Sequence, residues 1–212
     1  MRFADRAEAG RLLAGRLEHL REDRPVVLGL PRGGVPVAYE VARELGAPLD
    51  VIVVRKLGVP WLPELAMGAI GEGGSRVVDA ETVRRAGVTD DALCEVERRE
   101  SAELRRRAET YRAGRAAVPV AGRAVIVIDD GIATGATARA ACLVAAARGV
   151  ARVVVATPVL PRDLISPLSA VADEVVWLVA PEPMVAVGNW YHDFSQLTDA
   201  EVVELLGGLR RA

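Results

Sequence analysis

No run of about 18 or more consecutive apolar residues occurs in this 212-residue chain, so nothing in it has the length of a membrane-crossing helix. Its first residues carry charge rather than the basic, apolar and small-residue succession of a secretory leader, and a cytoplasmic protein is the expectation. A basic surplus is missing too: 27 Lys and Arg against 29 Asp and Glu leave a formal net charge of −2, and aromatics make up only 4% of residues. A general nucleic-acid binder carries the opposite balance together with stacking side chains, so neither nucleic acid nor membrane is expected as a partner. Two cysteines occur, Cys94 and Cys142, without CxxC spacing; Cys142 lies in an apolar helical stretch and reads as a buried thiol, and neither is given a disulfide or metal role. Internal repeats and low-complexity linkers are also absent. With 51% apolar and 26% charged residues, the composition suits one well-filled domain over 1–212.

What is present centres on Val125 to Arg139, VIVIDDGIATGATAR. Val125 to Ile128 is a short β-branched run of the kind that forms a strand covered on both faces. It delivers Asp129 and Asp130 to the carboxyl edge of the sheet, where α/β proteins bind ligands. Two adjacent carboxylates are costly to bury unless donors or a cation meet them, and the vicinal hydroxyls of a ribose with a nearby divalent ion would do so. Gly131, Gly135 and the small Ala133 and Ala136 let the backbone turn and present N–H groups; Thr134 and Thr137 add hydroxyls. The following helix, about 136–148, aims its amino end at the same spot and favours a phosphate. Diol, phosphate and metal together describe a phosphorylated pentose. The loop is not a Walker A motif, since no Gly-Lys-Ser/Thr closes it.

Elsewhere the pattern alternates between strand and helix. A helix is predicted from Asp5, its cap, to about Arg21, with apolar residues at Ala9, Leu12, Leu13, Leu17 and Leu20. Strands are predicted over 25–30, 51–54, 65–70, 75–78, 125–128, 153–156 and 174–178, with helices over 36–45, 90–112 and 199–206. Helices between parallel strands imply right-handed crossovers, hence an α/β fold with a twisted, mainly parallel sheet and helices on both faces. The helix over 90–112 is charged on most of its circumference. Its thin stripe of Leu93, Val96, Leu104 and Tyr111 suggests packing on a lid or a second copy of the chain, rather than in the main core.

Four further segments carry candidate chemistry. Pro31-Arg32-Gly33-Gly34 follows a strand and offers backbone N–H groups and a cation to an anion. Arg55 and Lys56, read as the end of the 51–54 strand, place two more cations at the same edge. Between 57 and 74 the glycines and prolines around Trp61 supply hinges, and Glu64 is an exposed loop acid. The fourth is Val179 to Val202, where Trp190, Tyr191 and Phe194 cluster beside His192 in a chain otherwise poor in aromatics and offer ring faces to a flat acceptor.

The run IVIDDGIATGAT, Ile126 to Thr137, resembles the signature of the type I phosphoribosyltransferases. That resemblance implies Mg²⁺-dependent transfer from phosphoribosyl pyrophosphate to a nitrogen acceptor, with release of pyrophosphate. It gives Asp129 and Asp130 the ribose hydroxyls and, through water, the metal. It gives Gly131, Ile132, Ala133, Thr134, Gly135, Ala136 and Thr137 the 5′-phosphate, and Arg32, Gly33, Gly34, Arg55 and Lys56 the pyrophosphate. It also implies a cis non-proline peptide near Arg32-Gly33, a lid or insertion over about 57–115, and a hood over about 179–212 in which Trp190 and Tyr191 meet the acceptor. Ala133 stands where hypoxanthine-type enzymes carry an acid, a feature shared with the adenine, uracil and orotate branches, so the loop assigns no acceptor. A regulatory protein that binds phosphoribosyl pyrophosphate without catalysis is the alternative the sequence leaves open.

Overall fold

In the computed structural model, which describes residues 2–209, apolar periodicity becomes two sheets with helices packed around them. The expected domain and hood include residues 1 and 210–212, which lie outside the described residues.

Strands β1 (Val26–Gly29), β2 (Leu49–Val51), β6 (Ala124–Ile128), β7 (Arg152–Val159) and β8 (Glu174–Val179) form a parallel sheet in the order β2-β1-β6-β7-β8. Their residues alternate between faces. Val125, Val127, Val153 and Val155 pack under α5 (Ala136–Ala147), whereas Ile126, Ile128, Val154 and Ala156 join the core made with α1 (Arg6–Leu17) and α2 (Gly34–Leu45). Helix α1 starts at the expected cap, where the Asp5 carboxylate accepts the Glu8 N–H. Gly10 lets α1 and α2 approach so closely that a Cβ there would overlap the Val37 carbonyl and Glu40. Leu12, expected on the apolar stripe, is exposed instead, and the helix ends at Leu17 in a 3₁₀ turn over 18–23.

The predicted strand over 51–54 is two pieces of different sheets. β2 ends at Val51, Ile52 and Val53 cross over, and Val54 opens β3 (Val54–Val59) of an antiparallel sheet with β4 (Leu62–Gly71) and β5 (Arg76–Val78). Arg55 and Lys56 are therefore inside β3 and do not terminate a strand of the main sheet. All four residues of 51–54 are β-branched and mostly buried, so nothing in their pattern marks the break.

Two short helices, α3 (Ala80–Ala86) and α6 (Ile165–Ser169), join the predicted ones. The charged helix α4 (Asp90–Arg112) has the expected limits, but its Leu93, Val96, Leu104 and Tyr111 lie in the same core as Leu57, Val59 and Met67. A thin stripe sufficed, because β3 and β4 of the small sheet and α7 (Asp199–Gly208) cover it. None of the described helices is long and apolar enough to cross a membrane.

Candidate active site

The carboxyl ends of β1 and β6 are neighbours, and the segments that leave them meet. β6 runs into Asp129 and Asp130, and β1 runs into the 31–34 turn before α2. The two are packed so closely that a Cβ on Gly33 would overlap the Asp130 carboxylate, and one on Gly34 would overlap the Ile128 carbonyl. Glycine is required at both positions by proximity alone. A cis non-proline peptide does occur in this turn, at Pro31–Arg32, one bond before the expected position.

Asp130 is fixed from several directions. Its N–H donates to Asp129 Oδ1 at 3.0 Å, its carbonyl accepts the Tyr191 hydroxyl at 2.5 Å, and its Oδ2 accepts Arg6 Nε at 2.7 Å. Asp129 sits beside it, half-buried. Burial first, and the charge of Asp130 second, push the Asp129 carboxyl well above the ordinary carboxylate range. Burial raises Asp130 too, opposed by the hydrogen bond and charge of Arg6. Fully ionised, the pair would hold more negative charge than its surroundings neutralise, so in the absence of a cation it retains a proton to higher pH.

Beyond it the loop divides by side. Ile132 is buried in the core and its N–H is spent on the Val159 carbonyl, so the expected ligand contact at Ile132 is replaced by an anchoring role. Ala133, Thr134, Ala136 and Thr137 are exposed, and Gly135 takes the left-handed conformation (φ 76°) that opens α5. Gly131 is held against Val187 with no room for a side chain. The loop offers the exposed hydroxyls of Thr134 and Thr137 and the amino end of a 12-residue helix to an anion.

On the other side of Pro31 lies a cleft of about 420 Å³ reached by Arg55, Lys56, Arg99, Arg107, Tyr111 and Thr137. Arg55 is tied to Glu100 at 2.6 Å, and Lys56 reaches Glu64 at 3.4 Å, a loose pair whose acid is almost fully exposed. Glu64 is part of β4 rather than of a loop. Arg32 is half-exposed, 3.9 Å from Asp199.

The family model for the phosphoribosyl transferase domain matches residues 4–185. The chain belongs to this phosphoribosyl transferase family. It is 54% identical over 209 residues to proteins of two Mycobacterium tuberculosis strains that carry the provisional name phosphoribosyl transferase. That match covers 99% of this chain and 47% of theirs, so the chain spans about half the length of these curated relatives. A crystal structure from Thermus thermophilus, that of TT1426, is 48% identical, with a TM-score of 0.90 over 97% of this chain and 98% of that one.

Within this phosphoribosyl transferase domain, the aromatic cluster departs from the sequence reading. Tyr191 is 1% exposed, stacked on Phe194 and tilted against Phe3, and carries a parallel bridge to Phe3. Its ring has no face free for an acceptor. Its hydroxyl, pushed upward by burial and by the Asp130 charge, stays protonated and serves as the donor to the Asp130 carbonyl. Trp190 is half-buried and next to Val185 and Asn189 on a separate shallow surface. His192 is exposed and contributes its backbone N–H to Phe3.

Arg6 was missed by motif reasoning, although a signal existed. It falls on the same helical face as Ala9, Leu13 and Leu17, and a cation on a buried stripe calls for an acid opposite. A magnesium ion fits the residues present. Among the described residues no group of three His, Cys, Asp or Glu forms a protein cage, but Mg²⁺ is commonly held by one or two carboxylates with ligand oxygens and water. The under-neutralised Asp129–Asp130 pair offers that number.

Proposed function

We propose that this domain transfers the phosphoribosyl group of phosphoribosyl pyrophosphate to a nitrogen of a nucleobase and releases pyrophosphate, with Mg²⁺ as cofactor. The observation that carries the reading is the packing of Asp130 on Gly33. It joins the acid pair to a second anion-binding turn while the same pair leads directly into the phosphate-type loop of α5.

On this reading Asp129 and Asp130 accept hydrogen bonds from the ribose hydroxyls, and the loop from Gly131 to Thr137, without the side chain of Ile132, takes the 5′-phosphate. Arg32, Gly33, Gly34 and Lys56 face the pyrophosphate. Arg55, already paired with Glu100, supports the cleft from behind. Asp129 and Asp130 would hold Mg²⁺, which would supply charge neutralisation for the leaving pyrophosphate. The bond from the anomeric carbon to the pyrophosphate oxygen breaks, and one from that carbon to the acceptor nitrogen forms, with the electron pair leaving on pyrophosphate and the proton of the acceptor N–H passing to water. The residues contribute orientation and fixed charge, and none acts as a covalent nucleophile. On the same reading the β3–β4 hairpin, which lines the cleft and exposes Trp61 at its tip, closes over the substrate and excludes water.

Calorimetry with phosphoribosyl pyrophosphate and Mg²⁺ tests the assignment of the pair. Wild type is expected to bind and the Asp129→Asn, Asp130→Asn double variant to lose binding while still unfolding in one cooperative thermal transition. Equal binding by the two proteins contradicts the assignment.

A further inference from the structure

Arg6 enters the site from an element that no motif marks. As the first residue of α1 it donates from Nε to Asp130 Oδ2 at 2.7 Å and from Nη1 to the Ser195 carbonyl at 3.0 Å, and its guanidinium lies 4.0 Å from the Phe194 ring centroid. The side chains of Arg6 and Asp130 are 12% and 13% exposed, so the pair is largely out of water. One planar cation therefore touches both the acid pair and the C-terminal segment whose Tyr191 hydroxyl holds the Asp130 carbonyl.

Two adjacent unpaired carboxylates would repel an incoming polyanion. Pairing Asp130 with Arg6 offsets one of these charges, and it orients the remaining Asp130 oxygen. On the phosphoribosyl reading above, we propose that Arg6 is a positioning residue for the ribose end of phosphoribosyl pyrophosphate, acting through Asp130 and braced by Phe194 and Ser195. The guanidinium is suited to this because its fork can bond the carboxylate and the carbonyl while its face stacks on the ring, which an ammonium cannot reproduce in full.

The test is calorimetry of wild type, Arg6→Ala, Arg6→Lys and Phe194→Leu with two probes, phosphoribosyl pyrophosphate and inorganic pyrophosphate, each with Mg²⁺. Loss of Arg6 in the alanine variant is expected to weaken phosphoribosyl pyrophosphate by roughly tenfold or more, the typical effect of removing a charge-assisted contact. Arg6→Lys restores the charge and should recover most of the affinity, to within about threefold, and Phe194→Leu, which leaves the carboxylate contact in place, should cost about twofold to fivefold. Inorganic pyrophosphate, lacking the ribose, should bind all four proteins within about threefold, a pattern that general destabilisation does not produce. The inference is overturned if Arg6→Ala binds phosphoribosyl pyrophosphate like wild type, or if both probes weaken together. It is overturned equally if Arg6→Lys is no better than Arg6→Ala. If wild type itself binds pyrophosphate but not phosphoribosyl pyrophosphate, the phosphoribosyl reading fails and the inference falls with it. Should Arg6→Ala not fold, Arg6→Gln against Arg6→Lys makes the same comparison of charge.

Discussion

Asp129 carries a cost in stability. Its carboxyl is raised by burial and by Asp130, so the folded protein binds that proton more tightly than the unfolded chain does. The unfolded group gives the proton up near its ordinary value of 3.8, and the folded one only at higher pH. Folded stability from this group is therefore fully present below that value and declines as pH rises through the raised folded pKa. At neutral pH, in the absence of ligand, Asp129→Asn is expected to raise the thermal midpoint while abolishing turnover, and differential scanning fluorimetry of the two proteins at about pH 5 and about pH 7 should show the larger gain at the higher pH. A midpoint that falls at both pH values contradicts the electrostatic account. Cysteine chemistry offers a second check at this scale: Cys94 is exposed, whereas burial pushes the Cys142 thiol up to about 12. Ellman's reagent should titrate one thiol in the native protein and two after denaturation. Gly33→Ala, forcing a methyl onto the Asp130 carboxylate, should destabilise by about 1 to 3 kcal/mol, as overpacking does, and weaken substrate binding in calorimetry. The acid pair and its loop were legible in the sequence because strand, acids, small residues and helix occur in one unbroken run. Arg6 and the hydroxyl of Tyr191 were not, since they reach Asp130 across more than 60 residues of chain and only the fold brings them there.

Among the elements, α4 is the one whose role changed most between sequence and structure. Its charges form the expected solvated pairs, such as Arg98 with Glu95 and Arg106 with Glu103. At its end, however, Arg112 turns inward to Asp50 of β2 at 3.1 Å, to the Val51 carbonyl at 3.2 Å, and to Glu72 just beyond β4. Asp50 also accepts the N–H groups of Val51 and Val118, so this one buried network joins the end of β2, the small sheet, α4 and the segment before β6. Removing the cation leaves Asp50 buried without its partner. Arg112→Met is expected to lower the unfolding free energy by about 3 to 5 kcal/mol in urea titrations, against about 1 kcal/mol or less for Arg98→Met on the exposed face. Helix starts were readable at Asp5, Asp90 and Asp199, and the structure adds the caps Thr89 and Thr198 behind the last two; the end of α1 was not, since the chain passes at Leu17 into a 3₁₀ turn. The small antiparallel sheet was not recognised as separate, because a β-branched stretch such as 51–54 reads as one strand whether or not the chain changes sheets inside it.

At the scale of the molecule, the parallel sheet brings two chain segments nearly 100 residues apart, 31–34 and 129–137, to one edge as neighbours. The antiparallel sheet and α4 then build a basic cleft against that edge, and the C-terminal segment is stitched back to Phe3 and Asp130. Order along the chain predicts the first of these, since successive parallel strands imply a common carboxyl edge. The cleft and the C-terminal stitching depend on side-chain packing between elements, which no local pattern encodes. The central claim is phosphoribosyl transfer at the Asp129–Asp130 edge. Its most direct test is release of pyrophosphate from phosphoribosyl pyrophosphate and Mg²⁺ across a panel of purines, pyrimidines and orotate. Turnover with one acceptor that disappears in the Asp129→Asn, Asp130→Asn variant is the expected result. Release that persists unchanged in that variant, or tight binding of phosphoribosyl pyrophosphate with no turnover on any acceptor, contradicts it.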